Sequence, residues 1–212
     1  MMPSIYGYIF AGGKSSRMGL DKASLILEGK TLAERAVDRM ALAASDVHLC
    51  GWNGGVDAPA PVLADAMEDA GPLAALVSAL EDADRKNPSS LALVLAVDLP
   101  LLPWELLQWL ILRAQLTHSW ATIPVMDARP QPLCAVYSSA LAPQMRAALL
   151  AGERKLTRAI EAACPPQHFD KFVLADVLPA ERRDALPVWF MNVNTPADLA
   201  AAQQAYRAPR VW

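Results

Sequence analysis

The sequence predicts an α/β protein with a mostly parallel sheet, and three observations carry that expectation. Short apolar runs alternate with longer amphipathic ones, the pattern of strands covered on their faces by crossover helices. The first run, IYGYIF, stops at Gly12 and Gly13 and opens into a polar loop holding Lys14, Arg17, Gly19 and Lys22. A later run, LALVLAVDLPLL, is apolar almost throughout, as a doubly covered strand must be, until Asp98 interrupts it.

Taken in order, the apolar runs place strands over Ile5–Phe10, Asp46–Cys50 and Leu91–Val97. Helical periodicity fills the intervals around Thr31–Ala44 and Leu73–Asp84, and again over Trp104–Gln115. The spacing of leucines in PWELLQWLILRAQL reads as a core helix. Between Trp120 and Tyr137, two strand-like pieces flank a polar turn, which predicts a hairpin and some antiparallel pairing. A helix near Leu141–Leu150 and a strand around Phe172–Leu174 come next. Near the end Thr195 is a natural helix N-cap, with Pro196 in the first turn and Asp198 at the capping-box position. With no internal repeat, low-complexity tract or linker, residues 1–212 read as one domain.

Composition narrows the function. The chain is 54% hydrophobic, ample for a core at 212 residues, and its net charge of −3 gives no basic footprint for nucleic acid or a membrane surface. Cys50, Cys134 and Cys164 show no C-x-x-C spacing, and His48, His118 and His168 are equally scattered, which argues against a disulfide framework or a zinc site. The N-terminus lacks the charged start and cleavage site of a signal peptide, and the most apolar stretch is broken by Asp98, Pro100, Pro103 and Glu105. A cytoplasmic protein is expected.

The glycine loop leaves a strand at the carboxyl edge of the sheet, where open α/β folds bind ligands. Glycines let main chain approach a phosphate closely, and successive N–H groups can cradle it. Lys14, Arg17 and Lys22 would add positive charge for a nucleotide. The loop is not a dinucleotide fingerprint, because its glycines fall at 12, 13 and 19, nor a P-loop, because position 8 is Tyr8 where the first glycine belongs. An ordinary strand-to-helix turn with solvated cations is the plainer reading of the same residues.

Asp98 stands where its strand should end, facing the same crevice. A hard oxygen ligand beside phosphates suits Mg²⁺, which takes one or two carboxylates with phosphate oxygens and water; a turn aspartate before Pro100 is the alternative. Asp65, in PVLADAMEDAGPLAAL, comes after a short apolar run and is a second acidic candidate. Asn192 and Asn194 lie two apart in an expected strand, which would turn both amides to one side; they would equally steady the turn into the Thr195 helix. Glu153, Arg154, Lys155 and Arg158 form a mostly basic group, read as solvated helix charges or as a contact for a second phosphate or another part of a substrate.

These stretches together resemble one family. FAGGKSSRMGLDK resembles the A-G-G-x-x-S-R-M-G-x-D-K signature of the molybdenum cofactor guanylyltransferases and their nucleotidyltransferase relatives. EDAGPLAAL is similar to that family's G-P-L-x-G-L segment, VDLPLL to its D-x-P element, and GERKL and FMNVNTPADL to late motifs of the molybdenum branch. The resemblance runs from about Ile5 to Tyr206.

It implies a Rossmann-like, three-layer nucleotidyltransferase fold. It implies a reaction joining GMP from Mg-GTP to the terminal phosphate of molybdopterin, with release of pyrophosphate. By resemblance, Phe10, Ala11, Gly12 and Gly13 line the nucleotide pocket with Lys22, Asp65 and Asp98. Asp98 binds Mg²⁺, Arg17 and Lys22 supply charge to the phosphates, and Asn192 and Asn194 belong to the pterin side. Transient contact with proteins that deliver or accept the cofactor is part of the same expectation. The chain departs from the pattern at Cys50, where the family often has a base-contacting Asn, at Ala75, which replaces a glycine, and at Phe10, which replaces an aliphatic residue. Guanine preference is the property these departures touch, so a cytidylyltransferase of the superfamily is the nearest rival. A non-catalytic nucleotide- or cofactor-binding protein is the rival of a different class.

Overall fold

The computed structural model describes residues 3–12, 22–52 and 57–208. Strand β1 (Ile5–Phe10) leads to the glycine loop, and a single 3₁₀ turn at Lys22–Ser24 resumes the chain on its far side. A two-strand ribbon, β2 (Ile26–Leu27) and β3 (Lys30–Thr31), precedes α1 (Leu32–Met40). Thr31 caps α1 through a reciprocal box with Glu34, which satisfies N–H groups the helix itself leaves open. Then come β4 (Asp46–Cys50), β5 (Val62–Leu63), α2 (Pro72–Lys86), β6 (Leu91–Ala96) and α3 (Trp104–Thr117). The second half holds β7 (Ala121–Met126), β8 (Arg129–Pro130), β9 (Cys134–Ser138), α4 (Ala142–Leu150), α5 (Leu156–Ala163) and β10 (Phe169–Val173). Three one-turn helices, α6 (Leu174–Val177), α7 (Ala180–Arg183) and α8 (Leu186–Trp189), lead to α9 (Pro196–Arg207).

The main sheet runs β10-β7-β9-β6-β1-β4-β5, with β8 paired to β7. All pairings among β6, β1, β4 and β5 are parallel, as is β10 with β7; β9 lies antiparallel between β6 and β7. The fold is therefore the mostly parallel α/β sheet with an antiparallel hairpin that the alternating runs imply. Alternation along the strands divides the core. Ile9, Leu93 and Leu95 face one layer with α1, α3 and α8, while Tyr8, Phe10, Ala92 and Val94 face α2, α4 and α5. That division gives three layers. The buried Tyr8 O–H donates to Asp82 Oδ2 at 2.8 Å, so burial leaves it satisfied.

Register sets the position of the crevice. Phe10 pairs with Ala96 on one side and Cys50 on the other, so all three strands end level. The segments that continue from these strands, Ala11–Gly12, Gly51 and Val97–Asp98, leave the sheet at one edge.

Several elements differ from expectation. The helix expected over Thr31–Ala44 stops at Met40, because residues 41–43 turn toward β4. The strand expected at Phe172–Leu174 begins at Phe169, and Leu174 already opens α6. Asn192 and Asn194 do not lie in a strand: residues 191–194 are irregular, and Val193 N–H is spent on Asp98 O at 2.9 Å, not on a strand neighbour.

Candidate active site

Two glycines meet at the floor of the crevice. Ala11 N–H donates to Cys50 O at 2.9 Å and draws the chain after β1 against the chain after β4. A Cβ on Gly12 would stand 2.7 Å from the Gly51 carbonyl oxygen. Gly51 has φ +67°, and its own Cβ would lie 3.0 Å from Gly12 Cα. Neither position admits a side chain without displacing main chain. Phe10 and Ala11 are buried, Phe10 among Ala70, Leu73 and their neighbours, so they form the floor beneath the crevice while Gly12 is exposed above it. Gly13, Lys14, Arg17 and Gly19 lie outside the described residues.

Lys22, Asp98 and Asn194 converge from three separate parts of the chain. Lys22 Nζ stands 3.6 Å from Asp98 Oδ2 and donates to Asn194 Oδ1. Burial pushes the Asp98 carboxyl above the usual carboxylate range, and the nearby Lys22 ammonium only partly offsets that. The Asp98 carbonyl is held by Val193 N–H. Asp198 Oδ2 accepts from Asn194 N–H at 2.9 Å and Thr195 N–H at 2.8 Å, while Thr195 Oγ1 accepts from Asp198 N–H. The α9 cap therefore fixes the residue that holds Lys22. Asn192 is not brought to this group: it is exposed, and its amide donates to Phe190 O at 3.4 Å.

Asp65 lies beyond the end of β5 and borders Gly51, whose Cβ would lie 4.0 Å from Asp65 Oδ2. Asp65 Oδ1 is buried and has no hydrogen-bond partner among the described residues, and burial raises the carboxyl pKa. Cys50 turns into the core at 1% exposure, so its thiol offers nothing to a ligand in the crevice. Of the basic group at 153–158, Glu153 Oε1 accepts from the main-chain N–H groups of Arg154 and Lys155 at 2.8 Å, and Arg154 Nη2 reaches Met67 Sδ at 3.6 Å. Those residues organise the start of α5 and the loop after Asp65.

The donor set suits a metal that shares its shell with phosphates. Among the described residues no group of three or more His, Cys, Asp or Glu could enclose an ion. Asp98, set at the crevice edge with the Lys22 ammonium 3.6 Å away, fits the one-carboxylate role that Mg²⁺ accepts when phosphate oxygens complete its shell. A cavity of about 770 Å³ opens elsewhere, between α1, the loop after Asp98, α8 and the end of α9, and none of Lys22, Asp65, Asp98 or Asn194 lines it.

Sequence reasoning missed Gly51, Val193 and Arg39, which bonds the loop after Asp98. Gly51 carried a signal, a glycine directly after a strand; the other two are an apolar residue and a helix charge without local distinction.

Comparison with known proteins agrees with this architecture. A protein of Mycobacterium tuberculosis (strain H37Rv) named "Probable molybdenum cofactor guanylyltransferase" is 35% identical over 205 residues, spanning 95% of this chain and 94% of its own. A protein of the same name from Mycobacterium marinum is 33% identical over 202 residues, 93% of this chain and 92% of its own. The crystal structure of molybdopterin-guanine dinucleotide biosynthesis protein A from Archaeoglobus fulgidus superposes with TM-score 0.74 at 22% identity, covering 95% of this chain and 98% of that one. The 2-C-methyl-D-erythritol 4-phosphate cytidylyltransferase of Thermus thermophilus shares the fold at TM-score 0.66 and 19% identity, covering 98% and 100%. Residues 7–168 match the family described as MobA-like NTP transferase domain, and with relatives at this identity over nearly its whole length, the chain belongs to that family.

Proposed function

We propose that this chain transfers GMP from GTP to the terminal phosphate of molybdopterin, releasing pyrophosphate and forming the guanine dinucleotide form of the cofactor. The observation that carries the reading is the meeting of Lys22, Asp98 and Asn194 at the edge where the Gly12–Gly51 contact opens the crevice. Residues 1–212 are read as one nucleotidyltransferase domain. A cytoplasmic setting fits its nucleotide substrate; among the described residues no helix is long and apolar enough to cross a membrane.

The reaction is a displacement at the α-phosphorus. An oxygen of the molybdopterin phosphate forms the new bond to that phosphorus as its bond to the β-phosphate bridging oxygen breaks, and the electron pair leaves with pyrophosphate. No covalent enzyme intermediate is required. Bound beside Asp98, Mg²⁺ would neutralise charge on the phosphate oxygens. Gly12 and Gly13 offer main chain that a phosphate can approach closely. Lys22 and Arg17 bring positive charge to the transferring and departing groups, where a preoriented cation lowers the barrier. Asn194 holds Lys22 at its end, with Asn192 and Asn194 on the side of the incoming pterin.

Asp65 supplies the base preference. Its carboxylate, which borders Gly51 through Oδ2, would accept from the N1–H and 2-amino donors of guanine, whereas cytosine would turn its N3 lone pair toward the same charge. Pyrophosphate release with Mg²⁺ and molybdenum-loaded molybdopterin, compared across GTP, CTP and ATP, tests the proposal. GTP is expected to be preferred. Preference for CTP would move the chain to the cytidylyl reaction, and nucleotide binding without release would overturn the catalytic reading.

A further inference from the structure

We propose that Arg39, a residue of α1 outside the crevice, is a positioning residue for Asp98. Its guanidinium ties the turn immediately after Asp98 and thereby fixes the carboxylate against the nucleotide's metal. The inference rests on the reading of Asp98 as the metal carboxylate.

The geometry is that of a clamp. Arg39 Nη1 donates to Leu99 O at 3.0 Å and Leu102 O at 3.1 Å, and Nε donates to Arg35 O at 3.0 Å. Leu99 is the residue next to Asp98. The arginine has no carboxylate within ion-pair distance among the described residues, and its Nη2 is buried with no hydrogen-bond partner there. Burial lowers its pKa to about 10, so it remains charged at neutral pH. Arg39 is half-buried on the wall of the 770 Å³ cavity, and drawing a guanidinium largely out of water without a counter-charge is a penalty that a Met or Leu there would avoid. What the charge does in exchange is hold two carbonyls of one loop.

Leu99 to Pro103 are all buried, so the carbonyls of this loop need partners from within the protein. Pro100, Leu101 and Leu102 form a wall of the 770 Å³ cavity, with Trp189 and Tyr206 among its other lining residues. On the opposite side, Val193 N–H to Asp98 O is the other tether. Val193 thus grips the carbonyl of the Asp98–Leu99 peptide from the approach to α9, while Arg39 grips the next carbonyl, Leu99 O, and Leu102 O from α1. The Nε bond to Arg35 O fixes the guanidinium plane in which Nη1 meets both loop carbonyls, an anchoring that a lysine ammonium lacks.

The test compares Arg39→Met, Arg39→Lys, Asp98→Asn and a control, Val77→Ala, which removes core volume in the opposite layer. Two quantities are read on the full chain: Mn²⁺ affinity in the presence of GTP, by electron paramagnetic resonance, and hydrogen exchange at Val193 N–H without metal. Arg39→Met is expected to weaken Mn²⁺ about 10-fold, the scale of losing an outer-shell partner, and to accelerate Val193 exchange relative to β6 amides. Arg39→Lys should fall between it and the parent, and Val77→Ala should lower Tm while moving neither quantity. The proposal is overturned if Arg39→Met and Val77→Ala behave alike in both. Should Arg39→Met fail to fold, Arg39→Lys carries the same comparison. If Asp98→Asn leaves Mn²⁺ affinity intact, the metal reading of Asp98 falls, while unaltered Val193 exchange in the Arg39 variants would overturn the clamp.

Discussion

Lys22 and Asp98 stand 3.6 Å apart at the mouth of the crevice, too far for a direct hydrogen bond and close enough for strong attraction. The ammonium gives its hydrogen bond to Asn194 instead. Burial keeps the Asp98 pKa above the usual range despite the Lys22 charge, and the pair can separate toward other charged groups without first breaking a tight contact. A buried acid and a cation in that state fit a division of labour in which one holds a metal and the other phosphate.

Removing the cation should be visible in the acid. Lys22→Met takes away the charge that pulls the Asp98 pKa down, so carbon-detected NMR should show Asp98 titrating at higher pH than in the parent. Because the folded value already lies above the usual one, ionisation of Asp98 opposes folding, and this penalty is relieved as pH falls through the folded pKa. The variant should accordingly lose stability over a wider pH span, as pH rises from the usual carboxylate value up to the now higher folded value, with no further change above it. Turnover of Lys22→Met should drop by about 10²-fold, as for loss of one preoriented electrostatic group. An unchanged Asp98 titration would refute the coupling.

Gly12→Ala should damage the protein even though Gly12 is exposed. The new methyl would lie 2.7 Å from the Gly51 oxygen, a main-chain atom that cannot swing aside. Strain of about 1–3 kcal/mol is expected, read as a lower Tm together with weakened GTP binding. An exposed alanine at Gly152, where no atom lies within 4 Å of the added Cβ but φ is +89°, should cost about 1 kcal/mol and leave nucleotide binding alone.

Asp198 sets an acid-side stability limit. Hydrogen bonds from the Asn194 main chain, the Thr195 hydroxyl and the Thr195 main chain, in that order of effect, hold its carboxyl below the usual range against a smaller opposing influence of burial. A depressed pKa contributes stability that is present above the usual carboxylate value and is lost as pH falls through the folded value. Asp198→Asn should therefore flatten the decline of Tm with falling pH, most clearly below about pH 4. A parallel decline in both proteins would show that the α9 cap does not sense pH.

Asp65→Ala should change which nucleotide is used more than how fast phosphate chemistry proceeds. Loss of a charged acceptor for guanine should reduce the GTP-over-CTP ratio of kcat/KM by about 10–100-fold, the equivalent of about 1.5–3 kcal/mol. If both nucleotides lose equally, Asp65 serves the architecture of the loop and not the base.

Much of the fold is legible in the chain itself, for identifiable reasons. β1 and β6 are continuous apolar runs ended by unlike residues, so both their existence and their carboxyl ends can be read, and with them Gly12 and Asp98. The Thr195–Asp198 cap is legible because its hydrogen bonds are local. Asn192 and Asn194 read as strand residues because alternation cannot distinguish a strand from a short irregular stretch; only the tertiary bond from Val193 to Asp98 decides it. The meeting of Lys22 with Asn194 joins distant parts of the chain, and Arg39 looks in sequence like any helix charge. The one-turn helices α6, α7 and α8 are too short for periodicity to register. The glycine loop beyond Gly12, with Gly13 and Arg17 among its candidate phosphate contacts, lies outside the described residues.

The antiparallel strand between β6 and β7 has a consequence for the growing polypeptide. β6 is apolar from end to end, and its second edge is closed only by β9, which the ribosome delivers some forty residues later. Until residues 134–138 emerge, that edge offers unpaired N–H and C=O groups to any other nascent strand. β7 pairs with β8 across a two-residue turn and then with β9, so these strands can form locally before docking, which shortens the interval of exposure. A chain interrupted before Cys134 would carry the open edge permanently, so aggregation during synthesis is the hazard this sheet order brings.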